Sequence, residues 1–231
     1  MLTVPTCLRG DLPSPLPGWM RVGLYGVALG LPTIVLLALV VQPWWNMADL
    51  LRDPLSVAEM AVKAGARCCR RHFGAISILG GLMMAAAAGF FVFTAAMRRM
   101  TLGRIDGGVV FLALGFVLST SIGLDDMYRF HEGKYEKLFD ASYAGLLGLI
   151  FVTGWFRLAR FERQLLLLTA AFFAASVGID ILQNTQFVID LLGPYRIVFE
   201  DGAKLFGISS WTAFAAAAGI ALTRPGPSQA S

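Results

Sequence analysis

Apolar positions run along this chain in long unbroken blocks, and polar positions gather in the gaps between them. Six blocks stand out, at roughly 22–42, 74–96, 107–126, 143–158, 165–184 and 203–222. Most approach the ~20 residues that a helix needs to cross a ~30 Å hydrocarbon layer. None shows the period-2 alternation of a barrel strand. The spacing therefore predicts helices, which close their backbone hydrogen bonds within each segment. The fourth block is the shortest and is flanked by arginines; snorkelling or local thinning would let it span as well. The expected fold class is all-α: a polytopic membrane protein with six transmembrane helices plus a short interfacial helix, in one transmembrane domain over 1–231.

The gaps carry their own signals. Residues 1–21 hold Pro5, Pro13, Pro15 and Pro17 with Asp11 and lack the apolar core of a cleavable leader, so they read as an irregular tail. The 43–73 connection is long. In it Ser56-x-x-Glu59 fits a capping box ahead of Met60, Ala61, Val62 and Ala64, which predicts the interfacial helix. Gly193-Pro194 punctuates the approach to the last block. Runs such as Ala85–Ala88 and Ala215–Ala218 allow helices to approach closely inside a bilayer. A short motif also recurs. Ser121-Ile-Gly-Leu-Asp125 and Ser176-Val-Gly-Ile-Asp180 close the third and fifth blocks, so a tandem hairpin repeat, 107–160 against 165–222, is an open reading. Parallel repeats of this kind occur in transporters.

Composition sharpens this picture. The chain is 57% hydrophobic and 15% charged, where soluble domains run at ~25% charged, so both a soluble domain and a disordered chain are excluded. The net charge of +4 reads as membrane-orienting arginines; with no nucleic-acid motif present, no nucleic-acid partner is expected. Cys7, Cys68 and Cys69 make neither a disulfide framework nor a CxxC site and read as free thiols. Lys and Arg divide evenly between the two faces of a six-span bundle. Six spans put both termini on one side, and the arginines, densest in the links 98–104 and 157–163, predict that this side is the cytoplasm. The acids divide unevenly. Only Asp11, Asp106 and Glu162 lie on the terminal side, and the other twelve of fifteen lie opposite.

That opposite face is where chemistry is expected. Ser121, Asp125, Tyr128 and Glu132 share one helix face if the third helix runs to Glu132, and Ser176, Asp180, Gln183 and Phe187 form a similar stripe on the fifth. The sixth block opens on Glu200-Asp201-Gly202-Ala203-Lys204. Asp125, Asp126, His131, Glu132, Asp180, Glu200 and Asp201 could thus converge. Crowded carboxylates in low dielectric hold a proton or a cation. With an imidazole they suit a divalent metal ion, which would activate water or polarise a substrate; without one, Asp125, Asp180 and Glu132 suit acid–base catalysis. Against this stand plainer readings. Asp125, Asp126 and Arg129 are interfacial charges at a helix end, His131 is a surface histidine, and Glu200 and Lys204 form an i,i+4 ion pair. The sequence lacks HExxH, GxSxG and a P-loop, and Arg129 breaks a DDxxD motif.

Leu124-Asp125-Asp126-x4-His131-Glu132, followed by Glu200-Asp201-Gly202-Ala203-Lys204-Leu205-Phe206-Gly207, resembles a group of uncharacterised bacterial multi-span membrane proteins that carry an Asp-acidic-x4-His-Glu signature and a later acidic pair before a span. The resemblance covers about the last 120 residues. It implies a polytopic bacterial membrane protein and no particular reaction. Polytopic terpene cyclases, which also rely on membrane carboxylates, are similar only in that general respect. Three functional readings follow: an enzyme acting on a lipid or isoprenoid; a non-catalytic accessory subunit partnered by other membrane subunits; and a small transporter or ion pathway. In each, membrane lipids are partners.

Overall fold

A computed structural model describes residues 16–45, 47–51, 54–65, 74–128, 136–182 and 185–223. Among the described residues every regular element is a helix. In chain order these are α1 (Gly18–Val41), α2 (Met47–Leu51), α3 (Pro54–Lys63), α4 (Ala75–Leu102), α5 (Gly107–Tyr128), α6 (Glu136–Gly154), α7 (Arg160–Leu182), α8 (Gln186–Leu192) and α9 (Arg196–Thr223). A π-helical turn, Gly26–Gly30, interrupts α1. Helices α1, α4, α5, α7 and α9 are long and apolar enough to cross a membrane. The chain is thus an integral membrane protein built from apolar helices.

The fourth block behaves differently from the expectation over 143–158. Its helix begins earlier, at Glu136, and stops at Gly154, and its apolar part is only Ala141–Gly154. At 1.5 Å per residue, fourteen residues reach about 21 Å, short of a ~30 Å layer. The chain then turns, with the Arg157 and Leu158 amides both donating to the Gly154 carbonyl.

Other boundaries shift for local reasons. Helix α1 starts at Gly18, directly after Pro17, and not at 22. Helix α3 starts on Pro54, whose fixed φ suits a first helical position, so Ser56 lies inside the helix and is not its cap. Helix α9 starts two turns before the apolar block at 203, because its charged opening is itself helical. The fifth stripe is broken: α7 ends at Leu182, and Phe187 belongs to the separate α8.

Helix α9 is the centre of the bundle. Of its most apolar stretch 78% is buried, against 17–39% for the other four spans. It packs on α7, α4 and α1, while α5 packs on α4 and α6 packs on α5. The core holds Phe91, Phe111, Trp211 and Phe214, none more than 1% exposed. Gly115 is what lets α4 and α5 close: a Cβ there would lie 2.7 Å from the Phe91 ring. Trp211 and Thr212 of α9 pair with polar groups of neighbouring helices inside this core, Thr212 Oγ1 with the Met83 carbonyl at 3.2 Å. Trp211 Nε1 donates to Ser119 Oγ at 2.8 Å, and Ser119 Oγ donates to the Gly115 carbonyl at 2.7 Å.

Contacts define two ends of the bundle. Arg21 and Tyr25 meet Phe161, and Arg98 donates to the Leu222 carbonyl, at one end. Leu39, Leu50 and Leu51 pack with Ala75, Ile76, Ile197 and Val198 at the other. Helices α2 and α3 lie over that second end.

Candidate functional site

Three helix ends meet beneath α2 and α3. Ser77 is the third residue of α4, Asp126 lies two residues before the end of α5, and Lys204 is in the third turn of α9. Lys204 Nζ donates to Asp126 Oδ1, forming an ion pair, and Ser77 Oγ donates to Asp126 Oδ2 at 2.9 Å. Both oxygens of one carboxylate are therefore held, each by a different helix. Asp126 is 6% exposed, while the Lys204 side chain keeps 34% of its surface. A carboxylate so buried is costly unless paired, and the pairing here supplies two charge-assisted bonds.

The site sits at one end of the apolar part of α9 and not at its middle. From Leu205 to Thr223 the apolar part of α9 would cover about 28 Å at 1.5 Å per residue. Lys204 directly precedes this stretch, which is by itself long enough to cross the layer.

Of the seven acidic and His candidates, Asp125 and Asp126 are both buried at this end. Asp125 and Asp201 act electrostatically on Lys204. Glu200 and Asp201 precede Lys204 by one turn and are half-buried. Asp180 is exposed, in the last turn of α7. His131 and Glu132 lie outside the described residues. Among the described residues no three of His, Cys, Asp and Glu form a group that could hold a metal ion. Lys204 instead supplies Asp126 with positive charge.

The two copies of the recurring motif end their helices alike but have unlike surroundings. Asp125 is buried and Asp180 exposed, and Gly123 lies against Met84 where Gly178 faces open space. The partners of Asp126 were not legible. Lys204 reads from sequence as a within-helix partner of Glu200, and Ser77 gives no signal beyond being polar near the start of a span.

The opposite end is held by a second carboxylate. Asp106 accepts from Arg98 Nε and Nη2 and from the Val109 amide at 3.0 Å, capping α5. The Arg98 guanidinium beside it lowers its pKa from 3.8 to about 2. Nearby, Glu162 is 2% exposed, and its Oε2 has no hydrogen-bond partner among the described residues.

No curated protein and no solved structure matches this chain. A protein family does match, over residues 24–218, from within α1 to late in α9, so it includes every helix that builds the Asp126–Lys204 site. The chain belongs to that family, a domain of unknown function (DUF8692).

Proposed function

We propose that this protein performs acid–base chemistry on a lipid or isoprenoid substrate at the bilayer face where Ser77, Asp126 and Lys204 meet. The observation that carries this reading is the Asp126–Lys204 pair at the end of the apolar part of α9. A buried carboxylate and a partly exposed ammonium in direct contact form a proton donor–acceptor couple, the pairing that acid–base chemistry uses. Asp125 and Asp201 act electrostatically on the same ammonium. Glu200, Asp180, His131 and Glu132 are the reserve of further acids, bases or divalent-metal ligands on the same face. In this reading α6 is the sixth crossing, its short apolar part accommodated by a thinned bilayer. Both termini then lie on the cytoplasmic side of a bacterial inner membrane.

A second reading is favoured by the same contact. Asp126 ties α4, α5 and α9 together, which would suit a clamp inside an accessory subunit of a larger membrane assembly. The two readings part on one set of variants. Removing one member of a buried pair costs roughly 3 kcal/mol, whereas removing both costs much less. Asp126→Asn and Lys204→Met are therefore expected to lower the melting temperature in mild detergent, and the double variant to recover most of the loss. Lipid extracts from cells producing the wild type and the recovered double variant are then compared by mass spectrometry. A lipid species that changes only with the wild type supports the chemistry. Identical lipid pools sink it, and partner chains retained by the double variant support the clamp.

A further inference from the structure

The end of the bundle remote from Lys204 holds two arginines that are fixed in place with their outer nitrogens unused. Arg21 and Arg163 are the fourth residues of α1 and α7. Each Nε donates to a carbonyl just before its own helix: Arg21 to Leu16 at 2.8 Å, Arg163 to Leu158 at 3.0 Å. Each guanidinium also lies over a ring. Arg21 Cζ is 5.9 Å from the Phe161 centroid, and Arg163 Cζ is 5.4 Å from that of Trp155. The helices touch here, with the Tyr25 and Phe161 rings 5.3 Å apart and Tyr25 Oη donating to Gln164 Oε1 at 3.3 Å. Both arginines act electrostatically on the buried Glu162, and Arg21 reaches across to Phe161 of α7, so both belong to the corner where α1 meets α7. Among the described residues the Nη atoms of neither have a hydrogen-bond partner.

Carbonyl and ring together hold each guanidinium plane without consuming its fork. A pre-set fork is the geometry that binds phosphate oxygens, and fixing it beforehand removes most of the ordering cost. Charge and depth select the source of the phosphate. Exposed Arg157, in the α6–α7 turn, and Arg160, the first residue of α7, add positive charge at this end of the bundle. Residues in the first turn of a crossing helix sit at headgroup level. We propose that Arg21 and Arg163 hold the phosphate of an anionic phospholipid headgroup where α1 meets α7. The site is independent of the Asp126–Lys204 chemistry, at the other end of the bundle.

The test is native mass spectrometry of the full chain in detergent, titrated with phosphatidylglycerol and with phosphatidylcholine. The expected result is at least ~10-fold tighter binding of phosphatidylglycerol, the preference falling about tenfold in Arg21→Gln/Arg163→Gln and persisting in Arg104→Gln. Arg21→Lys/Arg163→Lys, which keeps charge but lacks the fork, is expected to lose most of the preference and serves as the deciding variant if the glutamine pair does not fold. Equal binding of both lipids by the wild type overturns the proposal, as does a preference that survives the substitutions. Full competition by millimolar inorganic phosphate also overturns it, because the site would then take free phosphate and no lipid.

Discussion

Asp106 and Asp126 sit at opposite ends of one helix, and each meets a cation, but only the first does so in a place that pH can interrogate simply. Asp106 lies outside the crossing segments, with a quarter of its side chain exposed. Because its folded value is about 2, below the ordinary 3.8, the tie to Arg98 is fully present above pH ~5 and is lost as pH falls towards 2. Asp106→Asn is expected to lower stability at pH 7 by about 1–2 kcal/mol, through the weakened cap and ion pair. The gap in melting temperature between wild type and variant should narrow as pH drops from 5 to 2.5. A gap that stays constant over that range would contradict the assignment. Both aspartates were visible in the sequence as charges beside apolar blocks. What could not be read was which cation each would meet. Asp126 finds Lys204 78 positions away, and only the relative rotation of α5 and α9 decides that.

At the scale of elements, the cover formed by α2 and α3 is held by one backbone position. Gly74, just before α4, has φ +63, donates to the Asp49 carbonyl at 2.8 Å, and lies so close to Pro54 that a Cβ would fall 2.5 Å from its ring. Gly74→Ala thus meets a left-handed backbone and a collision with a rigid ring together. The expected outcome is release of the cover, seen as faster hydrogen exchange in 47–63 and a shift in Trp44 and Trp45 emission, while α5 and α9 keep their protection. Unchanged exchange over 47–63 would show that the cover does not depend on this contact. Existence and order of the long helices were legible, since apolar run length is the signal that lipid imposes. Their ends were not. Charged first turns, as in Arg196–Lys204, are invisible to a hydropathy reading yet helical in fact, and Pro54 outranks Ser56 as a start signal.

For the whole molecule, the open quantity is the number of crossings. Among the described residues five helices meet the length requirement, and α6 returns from the Lys204 end towards Phe111 with a shorter apolar stretch. Single cysteines placed at Lys137 and Arg157 in a chain cleared of Cys7, Cys68 and Cys69 report on it. Six crossings predict that an impermeant thiol reagent, added from one side of sealed vesicles, labels one position and not the other. Labelling of both from the same side would make α6 a re-entrant or interfacial element. The central place of α9 was not legible in the sequence, because its alanines look no different from those of α4. Burial on all sides is a property of neighbours, and the sequence of one helix does not list them.

That central place bears on how the protein is made. α9 is the last of these helices to leave the ribosome, yet it is the one on which α1, α4 and α7 rest. Until it enters the bilayer, those three must wait as loosely associated pieces, with Asp126 lacking its ammonium and Trp211 not yet there to engage Ser119. Insertion of α9 is therefore the step that joins α1 and α7 to the already adjacent α4, α5 and α6. A ribosome stalled before residue 196 would leave behind a chain whose quality-control fate, and not its chemistry, decides what the cell sees.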